Sequence, residues 1–202
     1  LFESPPLPSD WDKDIYNDRI PFKTRIEYAK ERAQQVGVGS SRVAFKIPYQ
    51  GRDTVLKIAK NRKGAAQNEA EAQILDDWYI KSTGIVIPVI DYDETSNYPT
   101  WIHMEYAQRI TQKRLENFFG GHSMEMITGY LDNLQGRRSF TKYEIPEELH
   151  ENDYFANLQD VVLNYGLPAA DLARAANWGL YKGQPVIVDI GFTNETAKLY
   201  GF

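Results

Sequence analysis

Asp171, Asn177 and Asp189 stand near the end of a 202-residue chain and offer oxygen atoms of the kind a hard divalent cation takes. Two carboxylates and an amide on neighbouring turns suit Mg2+, which prefers carboxylate and phosphate oxygens. Far upstream, Lys57 sits mid-strand in TVLKIA, between Leu56 and Ile58. An ammonium there is costly unless it reaches an anion, or snorkels to water from a sheet edge. Fourteen residues on, Glu71 lies within NEAEAQIL, one helical turn before Leu75. A helix packed on the sheet would bring that carboxylate to Lys57; Glu69 competes for the role, about 160° away around the helix. Gly37, Gly39, Ser40 and Ser41, in GVGSSR, precede an apolar strand. A glycine turn between strands lets backbone N–H groups approach phosphates, whereas a Rossmann reading is disfavoured by Arg42 in the third glycine's place and by the strand that follows. Each feature also has a plain structural reading: Gly37 as a helix C-cap, either Glu as a solvated helix charge, Asp189 with Gly191 as an Asp–x–Gly turn.

The elements that must position these residues follow from periodicity. From Pro21 the period is helical, with Phe22, Ile26, Ala29 and Ala33 on one face, and Gly37 ends the helix. Strands are expected over 42–47 and 54–59 about a turn at 49–53, then a helix over about 65–80 with Ile74, Leu75 and Trp78 as its apolar positions. Strand-like stretches cover 84–92 and 101–107, joined by a polar loop. HMEYA, with Met104, Glu105 and Tyr106, reads as a strand entering a linker, where backbone groups could meet a base edge. From Gln108 the chain is mostly helical: 111–119, 123–134, and 152–165 behind an Asn/Asp cap and ahead of Gly166. Residues 136–148 are polar and irregular, and a small hairpin turns at Lys182-Gly183 before VIVDIGF (Val186–Phe192). The expected organisation is an extended tail over 1–20, a β-rich lobe over 21–107 and a helical lobe over 108–202, with a cleft between the lobes.

Composition narrows the classes. The chain carries no Cys, three scattered His and a formal charge of −5. That excludes a disulfide scaffold and thiolate chemistry and disfavours multi-histidine zinc sites and non-specific binding to nucleic acid or anionic membrane. There is no run of about 18 apolar residues and no apolar leader core. A cytoplasmic protein is the expectation. The chain begins with Leu rather than Met, as a processed chain or an excised piece of a longer one would.

Taken in order, these motifs resemble the protein-kinase-like superfamily, including its small-molecule kinases. GVGSSRVAF is similar to the glycine-rich loop, Lys57 to the strand lysine that contacts α/β-phosphates, and Glu71 to its ion-pair partner. Met104-Glu105-Tyr106-Ala107 resembles gatekeeper and hinge, Asp171 the catalytic-loop Asp, Asn177 the metal-binding Asn, and Asp189-Ile190-Gly191 the D-F-G triplet. GSSR, VLKIAKN and AAQNEAE look closer to small kinase-like proteins of phages and bacteria. The likeness runs from about Val36 to Phe192. It implies an α+β, two-lobed fold that binds ATP and Mg2+ and transfers a phosphoryl group to an acceptor, small molecule or protein. Three departures stand out: Arg42 replaces the third glycine, Ala169-Ala170 precede Asp171, and the Asp171–Asn177 spacing is one residue longer than the family's. Nothing like an activation segment follows Gly191, which implies a reduced C-lobe without the usual peptide platform. A pseudokinase, binding nucleotide without turnover or acting only as an interaction module, is the alternative; nucleotidylation on the same fold is a third.

Overall fold

The computed structural model describes residues 7–17, 19–94, 99–136 and 142–190. The fold is mixed α+β. The chain divides into two compact units: the described residues up to Asp76 with Pro88–Tyr106, and Asp77–Ile87 with the described residues from Ala107 on.

The first unit is built on a five-stranded antiparallel sheet. Its strands are β1 (Gln34–Val38), β2 (Arg42–Tyr49), β3 (Arg52–Ala59), β4 (Val89–Tyr92) and β5 (Trp101–Glu105), in the order β1-β2-β3-β5-β4. The β2–β3 hairpin turns at Gln50 and Gly51, whose φ values of 50° and 76° are the left-handed pair a two-residue hairpin favours. Alternation gives each strand two faces. Val43, Phe45, Ile47, Leu56 and Ile58 point one way and are buried with Ala29 of α1 (Phe22–Lys30) and with Leu7, Trp11 and Tyr16. Lys57 points the other way, toward α2 (Arg62–Asp76).

Three expectations change in this unit. The chain from Leu7 to Asn17 is no loose tail: it forms a short 3-10 helix over Lys13–Tyr16 and buries Leu7 and Tyr16, with 1% and 2% exposure. Bulky apolar side chains decide this, since they cover the sheet face that α1 alone leaves open. The first helix stops at Lys30, and Gly37 is not its C-cap but part of β1, pairing with Ala44. The helix placed over 65–80 breaks at Asp77, whose extended backbone caps a new helix, α3 (Trp78–Thr83), by accepting a bond from the Tyr79 N–H. Trp78, expected to be apolar-facing, is 78% exposed.

The second unit holds α4 (Gln112–Phe118), α5 (Met124–Leu134), α6 (Glu147–His150) and α7 (Asp153–Asn164), and a small sheet of β6 (Gln108–Arg109), β7 (Trp178–Tyr181) and β8 (Gln184–Ile187). Thr111, Ser123 and Asn152 cap α4, α5 and α7 through their side chains. Phe119, Phe155 and Trp178 form its aromatic centre. Asp77–Ile87 belongs here rather than to the β-rich half: the Tyr79 hydroxyl donates to Asp160 at 3.0 Å, and Ile187 bonds to both Ile85 and Ile87. The strand expected over 84–92 is therefore two pieces separated at Pro88, a residue without an N–H to continue a ladder. The polar stretch 136–148 contributes Ile145 to the core and starts α6; residues 137–141 lie outside the described residues. Among the described residues no helix is long and apolar enough to cross a membrane.

The Asn152 cap gives a simple check on the helical unit. Its side chain accepts from the Phe155 N–H at 3.0 Å, so Asn152→Ala is expected to lower stability by about 1 kcal/mol in urea unfolding.

Candidate functional site

Lys57 occupies the middle strand of the sheet, paired with Ala44 of β2 and Ile102 of β5. Its ammonium donates to Glu71 Oε1 at 2.8 Å, and Glu71 is fully buried. The helix choice between the two glutamates falls to Glu71, Glu69 being only half-buried on another face. The other carboxylate oxygen of Glu71 accepts from Arg42, the residue in the third glycine's place. Arg42 is buried and also donates to Asn68 Oδ1 at 3.2 Å, while the Asn68 amide donates to Pro99 O at 3.0 Å. A carboxylate in a dry setting is tolerable only with such partners.

This cluster continues into the glycine turn. Gly39 N–H donates to Arg42 O at 2.9 Å, closing a tight turn with Ser40 and Ser41 at its tip. Ser41 is buried and its hydroxyl bonds to Gln67 Oε1. Lys60, just past β3, donates its backbone N–H to Ser41 O at 2.7 Å and its ammonium to Gly39 O at 3.1 Å. Gly64, Gln67, Asn68 and Glu71 thus form one stripe along α2, at positions i, i+3, i+4 and i+7, facing the turn and β2. Gly64 is there because nothing larger fits: a Cβ would stand 2.1 Å from Ser41 O.

Of the hinge-like residues, Met104 is buried opposite Val55 on β3. Glu105 makes a two-pronged ion pair with Arg52, with Nη2–Oε1 at 2.8 Å and Nε–Oε2 at 3.1 Å. Its N–H is committed to Pro88 O at 2.9 Å. The Tyr106 ring lies 5.6 Å from the Lys46 ammonium.

In the second unit, Asp171 lies in a 3-10 helix over Ala169–Ala173, and a second 3-10 turn over Ala175–Asn177 follows it. Across these turns Asn177 Nδ2 donates to Asp171 O at 2.7 Å. With Nδ2 so bound, Oδ1 is the atom Asn177 offers a cation. Val188 N–H donates to Asn177 O at 2.9 Å, and Asp189, two residues beyond β8, is exposed. Gly191 and Phe192, which complete the stretch, lie outside the described residues. Among the described residues no group of three or more His, Asp or Glu side chains is placed to hold a metal ion by itself. An Mg2+ on Asn177 and Asp189 would take its other ligands from phosphates and water, its usual habit at nucleotide sites.

Sequence reasoning missed Arg42, Lys60, Gly64, Gln67 and Asn68. The available signal was the stripe itself: Gly64, Gln67 and Asn68 share the Glu71 side of the helix, while Ala65, Ala72 and Leu75 carry its apolar contacts.

No protein-family model matches the chain, and no curated protein matches it. Among solved structures it is similar to a thermostable mutant of aminoglycoside phosphotransferase APH(4)-Ia. The apo form of that mutant gives a TM-score of 0.37 at 14% identity, covering 79% of this chain and 66% of that one. Its ternary complex with ADP and hygromycin B gives 0.37 at 15%, covering 84% and 70%. A likeness of this depth assigns no residue a role.

Proposed function

We propose that the protein is a kinase-like, two-lobed nucleotide-binding protein that takes ATP with Mg2+ and transfers a phosphoryl group. The observation that carries this reading is the Lys57–Glu71 pair, 2.8 Å apart and buried, on the middle strand and facing helix of one unit. A buried pair of this kind is hard to justify by stability alone, because apolar residues of similar volume usually serve a core as well or better. It is well suited to presenting an ammonium to phosphate oxygens.

In this reading Lys57, oriented by Glu71, holds the α/β-phosphates, and the turn at Gly39–Ser41 lies over them. Gly37 supports that turn from β1, and Met104, Glu105 and Tyr106 border the base. Asn177 and Asp189 hold the metal, which supplies charge neutralisation on the phosphates. Asp171 orients or deprotonates the acceptor hydroxyl. Nucleotide binding without turnover is the second reading, favoured by Ala169 and Ala170 ahead of Asp171, where the kinase-like family carries His-Arg or His-Gly.

A thermal shift with ATP, with and without Mg2+, tests the first step. A Mg2+-dependent rise is expected, lost in Lys57→Ala and Asp189→Ala while both variants remain folded. No rise in the intact protein would remove the nucleotide reading. ATP turnover that disappears in Asp171→Ala separates enzyme from pseudokinase; binding without turnover establishes the latter.

A further inference from the structure

We propose that Arg42 is a positioning residue that holds Glu71, and through it Lys57, in the phosphate-binding arrangement without any effector. The inference rests on the nucleotide reading above and adds how that site is kept assembled. Glu71 is shared: Oε1 takes the Lys57 ammonium from β3 and Oε2 takes the Arg42 guanidinium from β2. Arg42 is itself steadied by Asn68, and the adjoining turn is tied to α2 by the Ser41–Gln67 bond. A carboxylate gripped from two neighbouring strands cannot turn away from one cation without also leaving the other. With Gly64 letting α2 close onto Ser41 O, helix, turn and strand lysine form one connected body. Swinging α2 outward would break the bonds at Gln67, Asn68 and Glu71 together, so the Lys57–Glu71 pair needs no loop phosphorylation or partner to form it. Both bonds leave one guanidinium nitrogen, Nη1, and the rigid planar group holds that nitrogen between Asn68 and Glu71.

Arg42→Lys keeps the charge but replaces the rigid guanidinium with a shorter-reaching, flexible ammonium, so it tests placement rather than charge. Binding of ATP with Mg2+ and of adenosine is measured by calorimetry for both proteins, alone and in the Glu71→Gln background. The expected result is about tenfold weaker ATP binding with adenosine unchanged. In the Glu71→Gln background Arg42→Lys is expected to make no further difference, because Arg42 acts through Glu71. Equal losses for ATP and adenosine would reduce Arg42 to a folding role, and a loss that persists in the Glu71→Gln background would make it a direct phosphate contact; either overturns the proposal. Hydrogen exchange in α2 without nucleotide supplies an independent arm. Arg42→Lys should speed exchange over Arg62–Asp76 when Glu71 is present and not when it is Gln. If the intact protein binds neither ligand but this exchange difference holds, the nucleotide reading falls while the anchoring stands; without the difference the anchoring falls. Should Arg42→Lys fail to fold, Asn68→Ala takes its place, with the same signs and smaller effects.

Discussion

Glu71→Ala is expected to be the most damaging single change at the site, costing about 3–5 kcal/mol of stability. The reason is geometric. The carboxylate is fully buried and answers two buried cations, so its removal leaves Lys57 and Arg42 facing each other without the anion that drew them together. Lys57→Ala is milder by the same logic, because Glu71 keeps its bond to Arg42. The order of the two variants therefore reports on the sharing itself. Urea unfolding of both proteins measures it, and a Lys57→Ala loss equal to or larger than that of Glu71→Ala would show that Glu71 is not the common anchor. On the proposed function activity would run differently: both variants would lose phosphoryl transfer, Lys57→Ala with the fold retained.

Gly64→Ala sets two effects of opposite sign against each other. Alanine in a helix is favoured over glycine by about 1 kcal/mol. At this position, however, the added methyl would lie 2.1 Å from Ser41 O and 3.2 Å from the Ala59 Cα. Both are backbone atoms, which cannot step aside as a flexible side chain would. Overpacking of this kind costs about 1–3 kcal/mol, and the overlap here puts it at the upper end, so the clash wins. The first turn of α2 must move outward, stretching the Ser41–Gln67 bond first and Arg42–Asn68 next. The variant is expected to show a lower unfolding midpoint and weaker ATP binding together. A raised midpoint would mean that the helix does not rest on the turn at all.

Much of the site was legible because its chemistry and its geometry are local. Periodicity placed Lys57 mid-strand and offered Glu71 or Glu69 on the next helix as its partner, and the structure brings Glu71 within hydrogen-bond distance. Both hairpin turns were visible as Gln50-Gly51 and Lys182-Gly183, pairs in which the left-handed backbone falls on a glycine and one neighbour. The cap at Asn152 was equally plain, because its side chain and the N–H it accepts from are three residues apart.

What resisted sequence reading depends on contacts between distant segments. Nothing in QQVGV announces a strand; β1 exists because the edge of β2 offers it a ladder. The N-terminal residues read as a tail by their prolines and serines, yet Leu7, Trp11 and Tyr16 cover a sheet face formed by the distant Val43, Phe45, Ile47, Leu56 and Ile58. Trp78 carried helical periodicity and still faces solvent, because Asp77 restarts the helix in a new direction. Arg42 is the most instructive case. By type it was a departure from the glycine-rich pattern, and only the approach of α2 to within a glycine's width turns that departure into a buried partner for Glu71. The sequence alone determined which residues could do the chemistry and which short elements carry them, since those follow from neighbours a few positions apart. The tertiary structure decided which side chains hold them in place, because burial and partner choice depend on surfaces that meet only when the chain closes on itself.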